Sequence, residues 1–392
     1  MRDSKTHRVA SLFILVLFLG IALRVWIGLS FYGTHDIGAW EHYSTYWQDG
    51  LSPYDNNHNY VYSPLWFWII SFFSFVARHT SFAFSFVIKW PLILADLAMV
   101  WLICKSSQEM GETVEQTLQS ATLFFLNPVS ILISGYHGQF DNLSLFLILA
   151  AWYVQRFAQN LTVWKTSFFL SLSVAVKHFN ILLMPIFFWS EKGIFKKILI
   201  FVAAPLLFIF SFLPYLAGSS GEWVIKNVFQ YNLGAGYWGW SGIICRSVLF
   251  LTGNDLGKAS WFPILSYFNP FLYIAMFVAT YWILKKYDLL DAIILTFLIF
   301  YVFTTQIAPQ YTLWIIPFAA LRRDRMLNWY TVIGVAQILV FFYCHDHWRH
   351  KEPFVGTLAN LMPPLFIVLR HLTWVVCVAW FIVFLRRKPS AP

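Results

Sequence analysis

The chain has 392 residues, of which 59% are hydrophobic and only 11% charged, against roughly 25% charged residues in an ordinary soluble domain. With a mean hydropathy of +0.62, this composition excludes a soluble globular enzyme and points to an integral membrane protein. The formal net charge of +9 gathers in short basic loops, as cytoplasmic loops between membrane segments do, so it implies no nucleic-acid partner.

Read in order, the chain gives a single integral membrane domain, 1–392, with no separate soluble part. Arg2, Lys5 and Arg8 place the N-terminus on the cytoplasmic side, and Val9 to Leu29 is a first span. It is too long for a signal-peptide core and is read as retained. Residues 31–63 carry Asp36, Glu41, Asp49 and Asp55 but no Lys or Arg, which predicts a first extracytoplasmic loop. Asp36 to Gln48 is expected to form a short helix at the membrane surface.

Ser63 to Ala77 is apolar but shorter than the roughly 20 residues of a full span. If it crosses, parity puts the next hinge inside. If it only dips into the bilayer, the hinge falls outside with Asp36; the shortness of the run and the basic loops downstream favour this second count. Ser81 to Cys104 is a full span. It contains Lys89 and Asp96, which are seven apart and therefore on one helix face. They are expected to form a buried structural pair.

Leu118 to Ser134 leads into a polar hinge, Gly135-Tyr-His-Gly-Gln-Phe-Asp-Asn142, and Leu143 to Tyr153 leads away from it. His, Gln, Asp and Asn side chains cost several kcal/mol in hydrocarbon. They are therefore expected at a membrane face or in an aqueous cavity, where polytopic proteins keep their chemistry. Ser167 to Val176 and Ile181 to Trp189 flank a second hinge, Lys177-His-Phe-Asn180. The outer ends of this hairpin are basic, so its Lys-His turn should point to the other side of the membrane.

Leu199 to Leu216 is the next span. Residues 217–269 form a long segment with a Gly/Trp-rich centre, expected to be extracytoplasmic and partly embedded. Pro270 to Leu284, Leu289 to Phe303, Leu313 to Leu321, Trp329 to Tyr343 and Leu358 to Leu385 complete the apolar runs. A third hinge, Thr304 to Tyr311, lies among them. The fold expected is an all-α, polytopic transmembrane helical bundle of roughly 10–13 membrane segments, several of them short helical hairpins.

The outer hinges collect Asp36, Glu41, Asp55, His137, Gln139, Asp141, Lys177, His178, Gln310 and Tyr311 on one face. A carboxylate there can serve as a general base on a hydroxyl. Lys177 and His178 can stabilise phosphate charge, more strongly in a partly dry site. Together these suit transfer of a sugar from a lipid phosphate. The chain's 41 Phe, 20 Trp and 19 Tyr suit interfacial belts and a cavity for an isoprenoid tail or sugar ring.

Other features read as structural. His42, His58 and the His345 to His350 cluster read as solvated loop residues, and Asp49 as a turn residue. The sequons at Asn142 and Asn160 read as coincidences. No ligand spacing implies a metal or cofactor. Cys104 and Cys377 are expected to be packed in apolar runs. Cys245 and Cys344 fall near one face without a spacing that supports a bond.

Five short stretches carry a resemblance to a known superfamily. His137-Gly-Gln-Phe-Asp-Asn142 and Val176-Lys-His-Phe179, followed by Met184-Pro185, resemble the core of the dolichyl-phosphate-glucose-dependent glucosyltransferases. Ser52-Pro-Tyr54, Tyr60-Val-Tyr-Ser-Pro-Leu65 and Ala308-Pro-Gln-Tyr-Thr-Leu-Trp314 resemble bacterial polyprenol-phosphate mannosyltransferases and the GPI mannosyltransferase I family. All belong to the GT-C glycosyltransferases. Two departures stand out: Val61 lies where the glucosyltransferases carry an Asp, and Asp141 lies where their hinge has Gln.

The resemblance implies a GT-C-type bundle with Asp36 as catalytic base. It implies that Lys177 and His178 approach the donor phosphate, and that His137, Gln139, Asp141, Tyr62, Gln310 and Tyr311 line the substrate site. The reaction implied is inverting transfer of a hexose, mannose or glucose, from a polyprenyl-phosphate donor to an extracytoplasmic hydroxyl of a glycan or glycolipid. The expected location is a bacterial inner membrane in preference to the endoplasmic reticulum, among membrane lipids. The alternative is a flippase or transporter of lipid-linked glycans, which needs the same cavity but no base.

Overall fold

The computed structural model describes residues 2–55, 59–216, 220–230, 238–253, 268–350 and 357–387. Expectations for His58, for Gly234 to Tyr237 and for residues 254–267 lie outside the described residues, as do the side chains of His345 to His350. Among the described residues every regular element is helical, and no strand occurs. Helices satisfy their own backbone groups, which is why apolar surroundings select them.

Among the described residues five helical stretches are long and apolar enough to cross a membrane: Val9–Ser30, Phe84–Glu109, Ile194–Ser211, Met326–Cys344 and Leu361–Leu385. A sixth is the pair Val114–Phe125 and Pro128–His137, bent by 42° at its break. The other apolar helices, such as Pro64–Arg78, Thr162–Val176 and Leu289–Phe303, are shorter than a full crossing. Against the ten to thirteen segments read from the sequence, the described residues hold five or six helical stretches long enough to cross, plus shorter apolar helices.

The chain divides into two compact units. The first comprises Met1–Met184, Glu191–Tyr231 and Ile316–Arg323; the second comprises Pro185–Ser190, Asn232–Ile315 and Asp324–Pro392.

In the first unit, α1 (Arg2–Ser30) leads through a short turn to α2 (His35–Gln48). Asp36 sits in the first turn of α2, where the helix dipole favours a carboxylate. Next comes α3 (Pro64–Arg78), started by Ser63, whose hydroxyl accepts from the Trp66 N–H, and by Pro64 at its first position. A four-residue helix α4 (Phe84–Val87) meets α5 (Trp90–Glu109) through a turn at Ile88 and Lys89.

The sequence TVEQ then forms a reciprocal cap for α6 (Val114–Phe125): Thr113 Oγ1 accepts from Gln116 N, and Gln116 Oε1 accepts from Thr113 N at 2.9 Å. Asn127-Pro128 ends α6 and caps α7 (Pro128–Leu132), which widens into one π-helical turn, Ile133–His137. Gly138, at φ +76°, closes that turn in a left-handed conformation before α8 (Asp141–Phe157) begins. α9 (Thr162–Val176) packs against α8 and α11 (Ile194–Ser211), and α5 packs against α6 and α8. The short α10 (Met184–Ser190) intervenes in sequence between α9 and α11.

In the second unit, α14 (Phe268–Ile283), α15 (Leu289–Phe303), α17 (Met326–His350) and α18 (Thr357–Leu385) pack in pairs; α13 (Gly239–Thr252) lies against α15 and α18. Its core stacks Tyr301 on Tyr330, with Trp380 beside them. The elements α12 (Ser220–Val224) and α16 (Ile316–Leu321) belong to the first unit.

Candidate functional site

The first unit brings the loop after α1 onto the π-helical hinge. Thr34 Oγ1 donates to the His137 carbonyl at 3.1 Å, which fastens the start of α2 to the hinge. Two glycines permit the close approach. A Cβ on Gly33 would lie 2.5 Å from the Tyr136 carbonyl oxygen, and one on Gly138 would lie 2.6 Å from Ile37 Cδ1. Asp36 then meets two hinge side chains. Gln139 Nε2 donates to Asp36 Oδ2, and His137 Nε2 stands 3.5 Å from the same oxygen.

His137 and Gln139 are buried, whereas the Asp36 side chain keeps 35% of its exposure. No hydrogen bond to Asp36 Oδ1 occurs among the described residues. Burial pushes the Asp36 carboxyl up. The hydrogen bond and charge of His137, the Gln139 amide and the charge of His35 outweigh that, and the carboxyl stays below its ordinary value. Asp36 is therefore ionised at neutral pH, with one oxygen held and the other open.

An aromatic wall continues from this carboxylate. Trp40 lies one turn after Asp36 on α2; its ring is 5.0 Å from Trp66 and 5.8 Å from Phe140. Phe140 stacks on Trp66 at 4.1 Å and meets Tyr62 edge-on at 5.4 Å. The Lys177 ammonium lies 5.0 Å from the centre of the Phe140 ring. Phe140 thus stands in the chain between Gln139, turned to Asp36, and Asp141, turned to Lys177.

Lys177 is extended between α9 and the 3-10 turn His178–Leu183. Its Nζ donates to Asp141 Oδ2 at 2.6 Å, and both side chains are buried. The lysine and the acid expected to line one site meet as an ion pair. His178 packs its ring on Phe179 and Phe208, at 4.6 and 5.6 Å. Asn180 Nδ2 bonds Ser173 Oγ, which donates to the Ser144 carbonyl and ties this hinge to α8.

Outside this group, Glu41 accepts from the Tyr32 hydroxyl at 2.8 Å, and Asp55 accepts from Ser220. Gln310 and Tyr311 belong to the second unit, in the 3-10 turn Pro309–Leu313. Tyr311 is buried there, stacked on Trp314 at 4.0 Å, and its carbonyl accepts from the Tyr301 hydroxyl. Gln310 is half-buried. Among the described residues no group of His, Cys, Asp and Glu side chains could hold a metal ion, and no disulfide joins the four cysteines.

One expectation is corrected. Lys89 and Asp96 do not pair: seven residues apart they stand two turns, roughly 10 Å, from one another along α5, and each meets a different partner. Asp96 Oδ2 instead accepts from Arg24 Nε at 2.8 Å, and its other oxygen accepts from Asn142. Arg24 shares that same Nε–H with Ser134 Oγ, donates from Nη1 to the carbonyls of Gly20 and Phe125 and from Nη2 to Ser130 Oγ, and lies over the Phe125 ring. Asn142 is fully buried in this network, so its sequon is inert.

Sequence reasoning passed over Arg24. The available signal was an arginine in the middle of the first span, which demands a buried partner. The network holds both ends of the hinge, through Ser134 on one side and Asn142 on the other. Lys89, wholly buried, donates to the Phe31 carbonyl at 2.8 Å, at the end of α1.

No family model matches this chain, and no curated protein matches it.

Proposed function

We propose that the chain is a membrane-embedded inverting glycosyltransferase of the GT-C type, which moves a hexose from a polyprenyl-phosphate donor to an acceptor hydroxyl. One observation carries this reading: the Asp36 carboxylate, held through Oδ2 by two buried hinge residues, keeps Oδ1 open beside an aromatic wall. An ionised carboxylate with one free oxygen suits a general base. The half-buried Tyr62 ring suits the apolar face of a sugar or an isoprenoid, with the wholly buried Trp40 and Phe140 rings packed behind it.

In this reaction the acceptor O–H proton passes to Asp36 Oδ1 as the acceptor oxygen attacks the anomeric carbon. The bond from that carbon to the phosphate oxygen breaks on the opposite face, so the configuration inverts. Polyprenyl phosphate leaves with the electron pair and needs no proton, so no separate acid is required. Lys177 would meet its charge while sharing the ammonium with Asp141.

The same contact bears on the topology. With α5 and the bent α6–α7 pair each read as one crossing, contact between Asp36 and the hinge leaves α3 with no net crossing. This supports the count in which α3 dips and the site faces outward. A bacterial inner membrane with an extracytoplasmic acceptor fits that arrangement, and mannose and glucose are the two donor sugars to test.

The test is turnover of radiolabelled polyprenyl-phosphate mannose, and separately glucose, by purified protein with mixed membrane acceptors, wild type beside Asp36→Asn. Transfer by the wild type that is lost in the variant, with donor binding kept, is the expected result. Donor binding without transfer in either protein would favour a lipid-linked glycan flippase instead.

A further inference from the structure

A groove of about 490 Å³ lies between the end of α2 and the length of α3, apart from the Asp36 site. Trp47 and Gln48 form its α2 side; Trp68, Ser71, Phe72, Phe75 and Arg78 form its α3 side. These α3 positions are spaced i, i+3, i+4, i+7 and i+10, so they make one continuous face about 15 Å long. Trp47, Phe72 and Phe75 are all more than half exposed. That apolar exposure would be costly in water and is at ease in a bilayer.

One charge breaks this surface. Arg78 closes the groove in the last turn of α3, and its only hydrogen bond among the described residues runs from Nη2 to Ser74 Oγ at 2.9 Å. No carboxylate pairs with it among the described residues. The groove is also held open by its own packing: Trp68 Nε1 donates to the Tyr215 hydroxyl at 3.0 Å, and Trp47 sits edge-on to Phe67. An arginine with free donors at the end of an aromatic trough has the chemistry of an anionic lipid site. The guanidinium meets a phosphate and the rings meet a chain. The volume suits a headgroup and the upper part of one acyl chain.

We propose that the α2–α3 groove is a binding site for one anionic phospholipid of the surrounding bilayer, with its phosphate on Arg78 and an acyl chain along Phe75, Phe72 and Trp68. This site is independent of the reading of Asp36. It would anchor α3, which is shorter than a full crossing, to the lipid surface beside the site.

The experiment is native mass spectrometry of the full chain released from micelles, titrated with phosphatidylglycerol or with diacylglycerol of the same chains. Wild type, Arg78→Gln and Phe72→Ala are compared, and the adduct is mapped with a photoactivatable phosphatidylglycerol. The expected result is a one-lipid adduct with phosphatidylglycerol, weakened about tenfold in Arg78→Gln and less in Phe72→Ala. Crosslinks should fall on α2 and α3. Arg78 is exposed at a helix end, so its variant should fold; unchanged melting would confirm that. Equal binding of diacylglycerol, unchanged binding in Arg78→Gln, or crosslinks elsewhere would overturn the proposal. So would binding of polyprenyl phosphate alone in this groove.

Discussion

Gln139 Nε2 and His137 Nε2 face the same oxygen of Asp36, Oδ2. The hinge therefore acts on Asp36 in two ways at once: it fixes the direction of the carboxylate and favours its charged form. Burial alone would do the opposite, and the direction of the shift records that the hydrogen bonds and the imidazole charge win.

This gives a pH prediction with a definite sign. A carboxyl held below its unfolded value contributes stability in full above about pH 4, the unfolded range of Asp. It loses that contribution as pH falls through the lowered folded value. Activity of the wild type should therefore show no acid limb from Asp36 between pH 5 and 8. In His137→Phe the burial remains while the largest stabilising partner is gone, so the Asp36 value should rise. A pH–rate profile should then show the acid limb moving upward relative to wild type, while Gln139→Leu moves it less. Identical profiles for wild type and His137→Phe would mean that the imidazole does not set the carboxylate.

The ion pair of Lys177 and Asp141 should be coupled strongly. Each side chain is at least nine-tenths buried, and removing one partner strands the other charge, at a cost of about 3–5 kcal/mol. Lys177→Met and Asp141→Asn should each lower the melting temperature markedly in detergent. The double variant should be clearly more stable than the sum of the two losses predicts, because neither charge is then stranded. Additive losses in this cycle would show that the pair contributes little beyond its separate contacts.

Much of this arrangement was legible in the chain. Polar side chains packed into His137 to Asn142 between apolar runs marked the hinge, and a basic-free loop after the first span marked Asp36 as its neighbour. The short run Ser63 to Ala77 reappears as α3, a helix of 15 residues, shorter than a full crossing. What remained hidden depends on packing and backbone detail. A spacing of seven puts Lys89 and Asp96 two turns apart along α5, and each is taken by a partner from elsewhere, Phe31 and Arg24. The π-helical turn adds a residue to the α7 helix and sets which hinge side chains face Asp36. No periodicity in the sequence announces either. The turn to Lys177 was found, but its buried partner Asp141 is distant in sequence, and pairing across two helices is settled only by packing.

Arg24 and Lys89, the two wholly buried basic residues described in this unit, should respond oppositely to removal. Arg24 is wholly buried and uses its donors on Asp96, two serines and two carbonyls. Arg24→Met strands the Asp96 carboxylate and should cost about 3–5 kcal/mol. Lys89 is equally buried but makes one hydrogen bond, to the Phe31 carbonyl, and has no carboxylate partner among the described residues. Lys89→Met removes a poorly compensated polar group from an apolar site, so its melting temperature should match or exceed that of wild type. Reversible unfolding in mixed micelles would compare them. A loss in Lys89→Met as large as in Arg24→Met would mean that the Phe31 contact organises the turn into α2.

The glycines separate backbone strain from contact. Gly33, Gly50, Gly111 and Gly138 all have positive φ, at +103°, +65°, +74° and +76°. A Cβ at Gly50 or Gly111 meets nothing within 4 Å. Alanine there should cost only the conformational term, about 1 kcal/mol, with no effect on transfer. At Gly138 the added carbon would meet the flexible tip of Ile37 at 2.6 Å, which can turn aside. At Gly33 it would meet the Tyr136 carbonyl oxygen at 2.5 Å, and backbone cannot turn aside without moving the hinge. The expected order of destabilisation is Gly33→Ala, then Gly138→Ala, then the two open positions. Transfer should fall in the same order, because displacement of Tyr136 carries His137 and Gln139 away from Asp36 Oδ2. Melting temperatures and turnover measured on the four variants test both orders. If Gly33→Ala lost stability but kept full turnover, the spacing between the α2 turn and the hinge would not be what positions the base.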